Sequence, residues 1–401
     1  MLKPRFVAHL VLIICIAVLL PASAATRSAR ANKSASSARI TETPRTQKHL
    51  ARLRHTRATR TTARRHRRSY ERFYTSSYAD DITEGDVIAG EDPVVRAAAI
   101  EALGNMNGTV VAVDPDSGRV LSMVNQKLAL SSGAQPCSTI KLTVALAALN
   151  ERIVDKNTEV TLGGRSRMNL TGALAHSNNA YFEALGRRLG FEKVSYYAHE
   201  FGLGELAGYN ITGEHLGVFP SQELASNAGG VAKMCSFGES ISVTPLQLGA
   251  LVAAMANGGT LFYLQHPTRP EEVAGFVPKV KRQLDIAPLV PSMADGMAGA
   301  VEYGTARSVR YSFSEEPVLG KTGTCSHDGT RFGWFASYAK TNSGRIVVVV
   351  FLRGGRPTFG PKAAEIAGRM YRNLYDHNFF AATPSTHASS TPGMQTVGAA
   401  Q

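Results

Sequence analysis

The spacing of apolar and polar positions predicts a folded region over residues 90–380, with polar segments on both sides. Residues 91–104 have the pattern of a first helix. Residues 107–125 form two aliphatic runs around the turn residues "DPDSG", which predicts a β-hairpin. The mostly helical stretch that follows includes a helix that starts at Pro245 and stops at Gly258.

Near the end of this region the spacing of apolar residues changes from a helical period to the two-residue period of strands. Residues 317–326, 331–339 and 345–352 are separated by two turn sequences, so they predict a three-stranded antiparallel meander. A last helix is predicted over residues 361–379. Strands at both ends with helices between them predict an α+β fold. We expect an antiparallel sheet built from both ends of the domain and flanked by helices, beside an all-helical lobe.

The two ends of the chain have compositions that do not predict a packed core. Residues 1–25 combine Lys3 and Arg5 with an apolar run and a small-residue cleavage site after Ala24, which predicts a signal peptide or an uncleaved signal anchor. Residues 26–85 contain too few large apolar side chains to fold, so we predict a basic, disordered tether that leaves no room for an upstream glycosyltransferase domain. Residues 381–401 predict a second disordered tail.

The formal net charge of +13 belongs almost entirely to the tether. Residues 26–72 hold 15 Lys/Arg and 2 acids, and the rest of the chain is nearly neutral. Because the first 25 residues predict export to the periplasm or another extracytoplasmic space, we expect no nucleic-acid partner. We expect the tether to bind anionic lipids or acidic wall polymers, with the chain either free or anchored in the cell inner membrane.

Candidate chemistry begins with "STIKL", where Ser138 and Lys141 lie three residues apart. On a helix these side chains share a face, and the apolar residues that follow predict that the helix is buried. Burial lowers the pKa of a lysine, so a neutral Lys141 amine would be able to accept the Ser138 hydroxyl proton. The alternative is a serine that caps the helix, with a lysine that extends to solvent.

Two further patterns follow in the sequence. Ser177 and Asn179 lie at the start of a predicted helix, where they either point into a cleft or cap the helix. Lys321-Thr322-Gly323 lies on a predicted strand. A glycine inside a strand often marks the close approach of another backbone or a ligand, and the alternative is an edge glycine with a solvated lysine. Each pattern is weak alone, but all three in this order are uncommon by chance.

The three patterns resemble those of penicillin-binding protein transpeptidase domains and the related serine β-lactamases. Residues 108–125, 236–259 and 333–339 also resemble transpeptidase-domain segments. The resemblance implies a D,D-transpeptidase or D,D-carboxypeptidase that acts on D-Ala-D-Ala stem peptides in peptidoglycan synthesis. It implies a serine acyl-enzyme, acylation by β-lactams, no metal or organic cofactor, and other cell-wall synthesis proteins as potential partners.

The resemblance also implies roles for individual residues. Ser138 would be the nucleophile and Lys141 its base, with the backbone N–H groups of Ser138 and Thr324 forming an oxyanion hole beside Gly323. Ser177, aided by Lys321, would protonate the leaving group. Asn179 would bind the substrate amide. The terminal carboxylate of the substrate would be bound by Lys321, Thr322 and Thr324.

Two other functions remain open at this stage. A serine β-lactamase would need a carboxylate that activates water, and Glu223, with Asn227 nearby, and Glu239 are candidates. A non-catalytic wall-binding or β-lactam-sensing module would keep the cleft without turnover.

Three cysteines follow the predicted signal segment: Cys137, Cys235 and Cys325. Their spacing matches no zinc-binding pattern. They are either small buried thiols, or Cys137 and Cys325 form a disulfide in an oxidising compartment.

Overall fold

The computed structural model describes residues 71–340 and 344–380. The predicted signal segment, most of the tether and the C-terminal tail lie outside these ranges. None of the helices in the described ranges has the length and apolar character needed to cross a bilayer.

Ten helices and nine strands are found in the described ranges. The helices are Pro93–Leu103 (α1), Gln126–Ala129 (α2), Lys141–Asn150 (α3), Leu170–Ala175 (α4), Asn179–Glu200 (α5), Gly230–Phe237 (α6), Pro245–Asn257 (α7), Pro270–Ala274 (α8), Val290–Glu302 (α9) and Gly360–Asp376 (α10). The strands are Gly108–Val113 (β1), Val120–Val124 (β2), Val160–Gly163 (β3), Ser166–Met168 (β4), Thr260–Phe262 (β5), Val280–Gln283 (β6), Val318–His327 (β7), Thr330–Lys340 (β8) and Arg345–Gly354 (β9). Short 3-10 turns cover Cys137–Ile140, Ser226–Ala228 and Arg307–Tyr311.

Five strands form one antiparallel sheet in the order β2-β1-β9-β8-β7. The N-terminal hairpin and the C-terminal meander join where β1 pairs with β9, with Thr109 opposite Phe351. This confirms the predicted α+β fold with a sheet built from both ends of the domain. Within the described residues β7 pairs with β8 alone, so β7 is an edge strand.

Apolar cores cover both faces of this sheet. Val111 and Val113 of β1 face a large cluster that includes α3 and α7. The alternate residues Val110 and Ala112 face a second cluster that includes α1 and α10. This two-residue alternation is the ordinary consequence of strand geometry. Because both faces are buried, β1 and β9 read as continuous valine-rich runs rather than as alternating ones.

Capping residues define the boundaries of α1 and α7. Asp92 caps α1, since its carboxylate accepts hydrogen bonds from the backbone N–H groups of Val94 and Val95 at 2.9 and 3.0 Å. Thr244 and Gln247 form a reciprocal capping box at the start of α7. Gly258 ends that helix with a φ of 90°, a conformation that glycine adopts without steric cost.

The helical lobe differs in one respect from the prediction. Beside its helices it contains two small two-stranded sheets, β3–β4 and β5–β6. Their strands have three or four residues each, too few to produce a clear alternating pattern in the sequence. The helix α5 is also interrupted at Gly190, where φ is 75° and ψ is 162°.

Residues 71–85, which we assigned to the tether, lie against the folded body. The backbone N–H of Tyr74 donates to Gly329 O at 2.9 Å, and that of Asn107 donates to Ser77 O at 2.8 Å. Residues 71–85 are therefore part of the folded body rather than of the tether. Composition alone missed this because the segment is held by backbone hydrogen bonds, which carry little side-chain signature.

Candidate active site

Ser138 lies in the 3-10 turn Cys137–Ile140, which leads directly into α3. We call residues 135–140 the serine turn. Trp334 Nε1 donates to Gln135 O at 3.0 Å, and Thr139 Oγ1 donates to Pro136 O at 2.7 Å. Cys137, immediately before Ser138, has a φ of 52°. The turn is therefore fixed on its N-terminal side by the sheet, with Ser138 half-buried at its centre.

Lys141 brings the first two sequence patterns together. Its Nζ lies 2.9 Å from Ser138 Oγ and 3.1 Å from Ser177 Oγ. It also lies 2.6 Å from Asn179 Oδ1 and 2.8 Å from Ser177 O. One amine therefore contacts both serine hydroxyls, so a proton has a short path between them.

Burial changes the acid–base behaviour of Lys141. The residue is 0% exposed. Burial lowers the pKa of the amine to about 7, while the negative charge of Glu183 acts in the opposite direction. A substantial fraction of the amine is therefore neutral near pH 7, and its lone pair can then accept a proton from Ser138. The alternative of a lysine that extends to solvent is wrong.

Ser177 and Asn179 flank the start of α5 without capping it. The capping residue is Asn178, whose Oδ1 accepts from the N–H of Tyr181 at 2.9 Å. Ser177 has a left-handed φ of 54°. The capping alternative for these two residues is therefore wrong, and their side chains are directed at Lys141.

The third pattern lies on β7, with Lys321 completely buried rather than solvated. Lys321 Nζ donates to Thr322 O at 3.1 Å. Burial lowers the pKa of Lys321 well below its usual range, and the positive charge of Lys141 acts in the same direction. Lys321 therefore loses its proton more readily than an exposed lysine would.

Gly323 is the point where β7 meets the serine turn. A Cβ atom at this position would lie 2.8 Å from Pro136 O and 3.3 Å from Thr139 Cγ2. The first distance is too short for a real contact, so glycine is required for this approach. Cys137 and Cys325 form a disulfide across the same junction, with their Cα atoms 5.5 Å apart. The disulfide alternative for these cysteines is thus the one observed, and Cys235 is a free, buried thiol.

The two threonines of β7 have partners that the sequence analysis did not identify. Thr322 Oγ1 lies 2.6 Å from Thr305 Oγ1, and Thr324 Oγ1 accepts from the N–H of Gly360 at 2.8 Å. Strand alternation places these side chains on the face opposite to Lys321. That alternation was readable in the sequence and separates Lys321 from its two threonine neighbours.

A cavity of about 640 Å³ adjoins the serine turn at Gln135 and extends to the β7–β8 turn at His327. Glu239 lines it and accepts from Gln135 Nε2 at 2.9 Å. Glu223 and Asn227 are exposed. Over residues 71–340 and 344–380, no cluster of three or more His, Cys, Asp or Glu side chains has an arrangement suited to a metal ion.

Comparison with known proteins gives a family match. Residues 108–375 match the model described as penicillin binding protein transpeptidase domain. The chain is 29% identical to stage V sporulation protein D of Bacillus subtilis, over 66% of this chain and 48% of that protein. It is 24% identical to the peptidoglycan D,D-transpeptidase MrdA of Acinetobacter baumannii, over 72% of this chain and 53% of that protein. The chain thus spans about half the length of these curated relatives.

Among solved structures, the transpeptidase domain of Burkholderia pseudomallei penicillin-binding protein 3 is similar in fold. The TM-score is 0.61 at 21% sequence identity, and the match covers 72% of this chain and 96% of that domain.

Proposed function

This chain belongs to the penicillin-binding protein transpeptidase domain family, and on that premise we propose that it is a serine D,D-transpeptidase or D,D-carboxypeptidase. Its substrates would be peptidoglycan stem peptides that end in D-Ala-D-Ala. The observation that carries the proposal is the position of Lys141 Nζ, 2.9 Å from Ser138 Oγ and 3.1 Å from Ser177 Oγ.

In the proposed acylation, Ser138 Oγ attacks the carbonyl carbon of the penultimate D-alanine while Lys141 Nζ accepts the hydroxyl proton. The tetrahedral intermediate then expels the terminal D-alanine as its amide C–N bond breaks. Ser177 transfers a proton to the leaving nitrogen and is reprotonated from Lys141. The lowered pKa of Lys141, about 7, supports both directions of this transfer at neutral pH.

The negative charge of the intermediate needs hydrogen-bond donors at the serine turn. We propose the backbone N–H groups of Ser138 and Thr324 for this role. The close approach of Gly323 to Pro136 O, which no side chain would permit, supports an arrangement in which β7 adjoins the nucleophile.

The terminal carboxylate of the substrate would lie at the edge of β7, with Thr322 and Thr324 on one face of the strand and Lys321 on the other. Thr324 Oγ1 accepts from Gly360 N, so its own hydrogen remains free to donate. A carboxylate close to Lys321 would favour the protonated amine, because an opposite charge raises the pKa of a lysine. Asn179 would hold the substrate amide while its Oδ1 orients Lys141.

The acyl-enzyme would then transfer to an amine of a second stem peptide, or to water. A β-lactamase would instead need a carboxylate placed to activate water at the acylated Ser138. Glu223 and Asn227 are exposed, and Glu239 accepts a hydrogen bond from Gln135. We further propose an extracytoplasmic location. The basic tether would bind anionic lipids or wall polymers, and other wall-synthesis proteins are candidate partners.

Covalent labelling with a fluorescent penicillin tests the proposal. We expect stable labelling of the full chain and none of Ser138→Ala, while the exposed Ser314→Ala serves as a control that labels normally. Loss of the label within seconds would indicate a β-lactamase, and absence of labelling would exclude acyl chemistry at Ser138. Incubation with a D-Ala-D-Ala peptide, with and without an amine acceptor, then separates transfer from hydrolysis. Stable labelling without release of D-alanine would indicate a sensor.

A further inference from the structure

Two cysteines flank the groups proposed to bind the oxyanion. Cys137 immediately precedes Ser138, and Cys325 immediately follows Thr324. They form a disulfide, although 188 residues separate them in sequence. The cross-link therefore joins the serine turn to β7 at the positions adjacent to both proposed N–H donors.

The backbone of Cys137 explains why such a link is useful. Its φ of 52° is a left-handed conformation, which glycine adopts readily and other residues adopt at an energetic cost. Without the cross-link, this cost would favour relaxation of the residue directly before the nucleophile. The disulfide opposes that relaxation, because the side chain of Cys137 is covalently held and completely buried.

Two other contacts between the sheet and the serine turn lie on the N-terminal side of the turn. Trp334 Nε1 donates to Gln135 O, and Gly323 lies against Pro136 O. Cys137 is the next residue along the chain. The disulfide thus extends the attachment of the turn as far as the residue that precedes Ser138.

We propose that the Cys137–Cys325 disulfide is a positioning element for acylation. It holds the serine turn in the conformation that aligns Ser138 with β7, so that the acylation rate depends on the redox state of this cysteine pair. This inference rests on the proposed acyl-transfer function. It assigns the cysteines no contact with substrate, since their effect is transmitted through the backbone.

The environment of the three cysteines is compatible with reduction and re-oxidation of the Cys137–Cys325 disulfide by an external reagent. Cys325, unlike Cys137, is partly exposed, so it is the end of the disulfide that lies nearer to solvent. The third thiol, Cys235, is buried, and burial raises its pKa to about 12, so it does not supply a competing thiolate. Formation of the bond removes two protons and two electrons from the thiols. A protein disulfide oxidant would accept them and become a dithiol.

The test compares acylation by a fluorescent penicillin in the oxidised and reduced forms of the full chain. A phosphine reduces the disulfide with water, which yields two thiols and a phosphine oxide, and is removed before the assay. Thiol titration confirms the gain of two thiols. Stopped-flow measurement over a range of penicillin concentrations separates the binding constant from the acylation rate constant. We expect reduction to slow acylation about 10- to 100-fold with little change in binding.

Two variants distinguish positioning from general stabilisation. Cys325→Ser removes the link and leaves Cys137 unsupported, so we expect it to acylate as slowly as the reduced protein. Cys137→Gly also removes the link but fits the left-handed conformation. We expect this variant to be acylated at nearly the rate of the oxidised protein, and we expect the reductant to leave that rate unchanged. Melting curves fix an assay temperature at which both variants are folded.

Equal acylation rates in the oxidised and reduced forms would overturn the inference. So would a Cys137→Gly protein that is as slow as Cys325→Ser, since the turn conformation would then not be what the disulfide supports. Absence of labelling in every form would overturn the proposed function itself, and the inference with it.

Discussion

Lys141 Nζ lies closer to Asn179 Oδ1, at 2.6 Å, than to Ser138 Oγ, at 2.9 Å. An amide oxygen accepts a hydrogen bond from the amine in either protonation state and carries no net charge. Asn179 can therefore orient Lys141 without the large increase in pKa that a carboxylate would cause. The distinction between amide and carboxylate at this position bears directly on whether Lys141 can act as a base.

Asn179→Asp should raise the pKa of Lys141 by roughly 1–3 units, because it places a negative charge beside the amine. The neutral fraction at pH 7 would fall, so acylation would slow and its pH profile would move to higher pH. The measurement is the acylation rate by a fluorescent penicillin as a function of pH. Asn178→Asp is the matched control, since aspartate also caps helices and the cap of α5 would persist. An unshifted profile for Asn179→Asp would contradict this assignment.

The unmodified protein should show a simple pH dependence. Because Lys141 accepts a proton only when neutral, acylation should rise as pH increases through about 7, the pKa of Lys141, and then level off. Lys141→Arg keeps a positive charge that cannot be lost, so it should slow acylation by about 100-fold or more. Rapid-mixing kinetics at constant ionic strength measure both effects. A rate independent of pH across this range would exclude Lys141 as the base.

Gly323→Ala should disrupt the junction between β7 and the serine turn. The new methyl group would lie 2.8 Å from Pro136 O, and neither backbone can move without shifting Ser138 or Thr324. We expect a loss of about 1–3 kcal/mol in the free energy of unfolding and about 100-fold slower acylation. Gly249→Ala in α7 is the control, because its nearest neighbours would be at ordinary contact distances of 3.7 and 3.8 Å. Equal behaviour of the two variants would show that the close approach has no functional importance.

The sequence predicted the elements of the site better than their contacts. The three-residue spacing of Ser138 and Lys141 already requires a shared face on a helical turn, and the apolar run after Lys141 requires burial. The contact between Lys141 and Asn179 depends on how α3 and α5 pack. No local pattern in either segment specifies that packing.

The local sequence around Lys321 does not predict its burial either. The residue lies on an edge strand, where a lysine is ordinarily solvated, but α9 and the serine turn also contact β7, and Lys321 is buried. The sequence is partly informative about the environment of Thr322 and Thr324. Strand alternation accounts for the face on which their side chains lie, whereas Thr305 and Gly360 come from other elements and carry no motif that marks them.

The N-terminal part of the folded body should depend on a buried charge network. Arg96 pairs with Asp86 at 2.9 Å and with Glu91 at 2.8 Å, and all three side chains are largely buried. Arg96→Met would leave the buried Asp86 without its charged partner and Glu91 with His266 alone, and should cost about 3–5 kcal/mol of unfolding free energy.

Lys156→Met provides the comparison for that variant. Lys156 pairs with Asp295 on the surface, where both side chains are about half exposed, so its loss should cost less than about 1 kcal/mol. Urea unfolding curves measure both values. If the two variants lost the same stability, residues 71–96 would not be an integral part of the folded body.

The pairing of β1 with β9 has a consequence for how the protein is made. β1 pairs with β2 on one side, but its partner on the other side, β9, is the last strand of the sheet to be synthesised. Contacts so distant in sequence slow folding and leave the valine-rich β1 exposed to association with other chains. During synthesis, Ser138 is therefore present in the chain long before the sheet that positions the serine turn is complete. Catalytic competence should arise in one late cooperative step, and chains that end before β9 should be inactive and prone to aggregate.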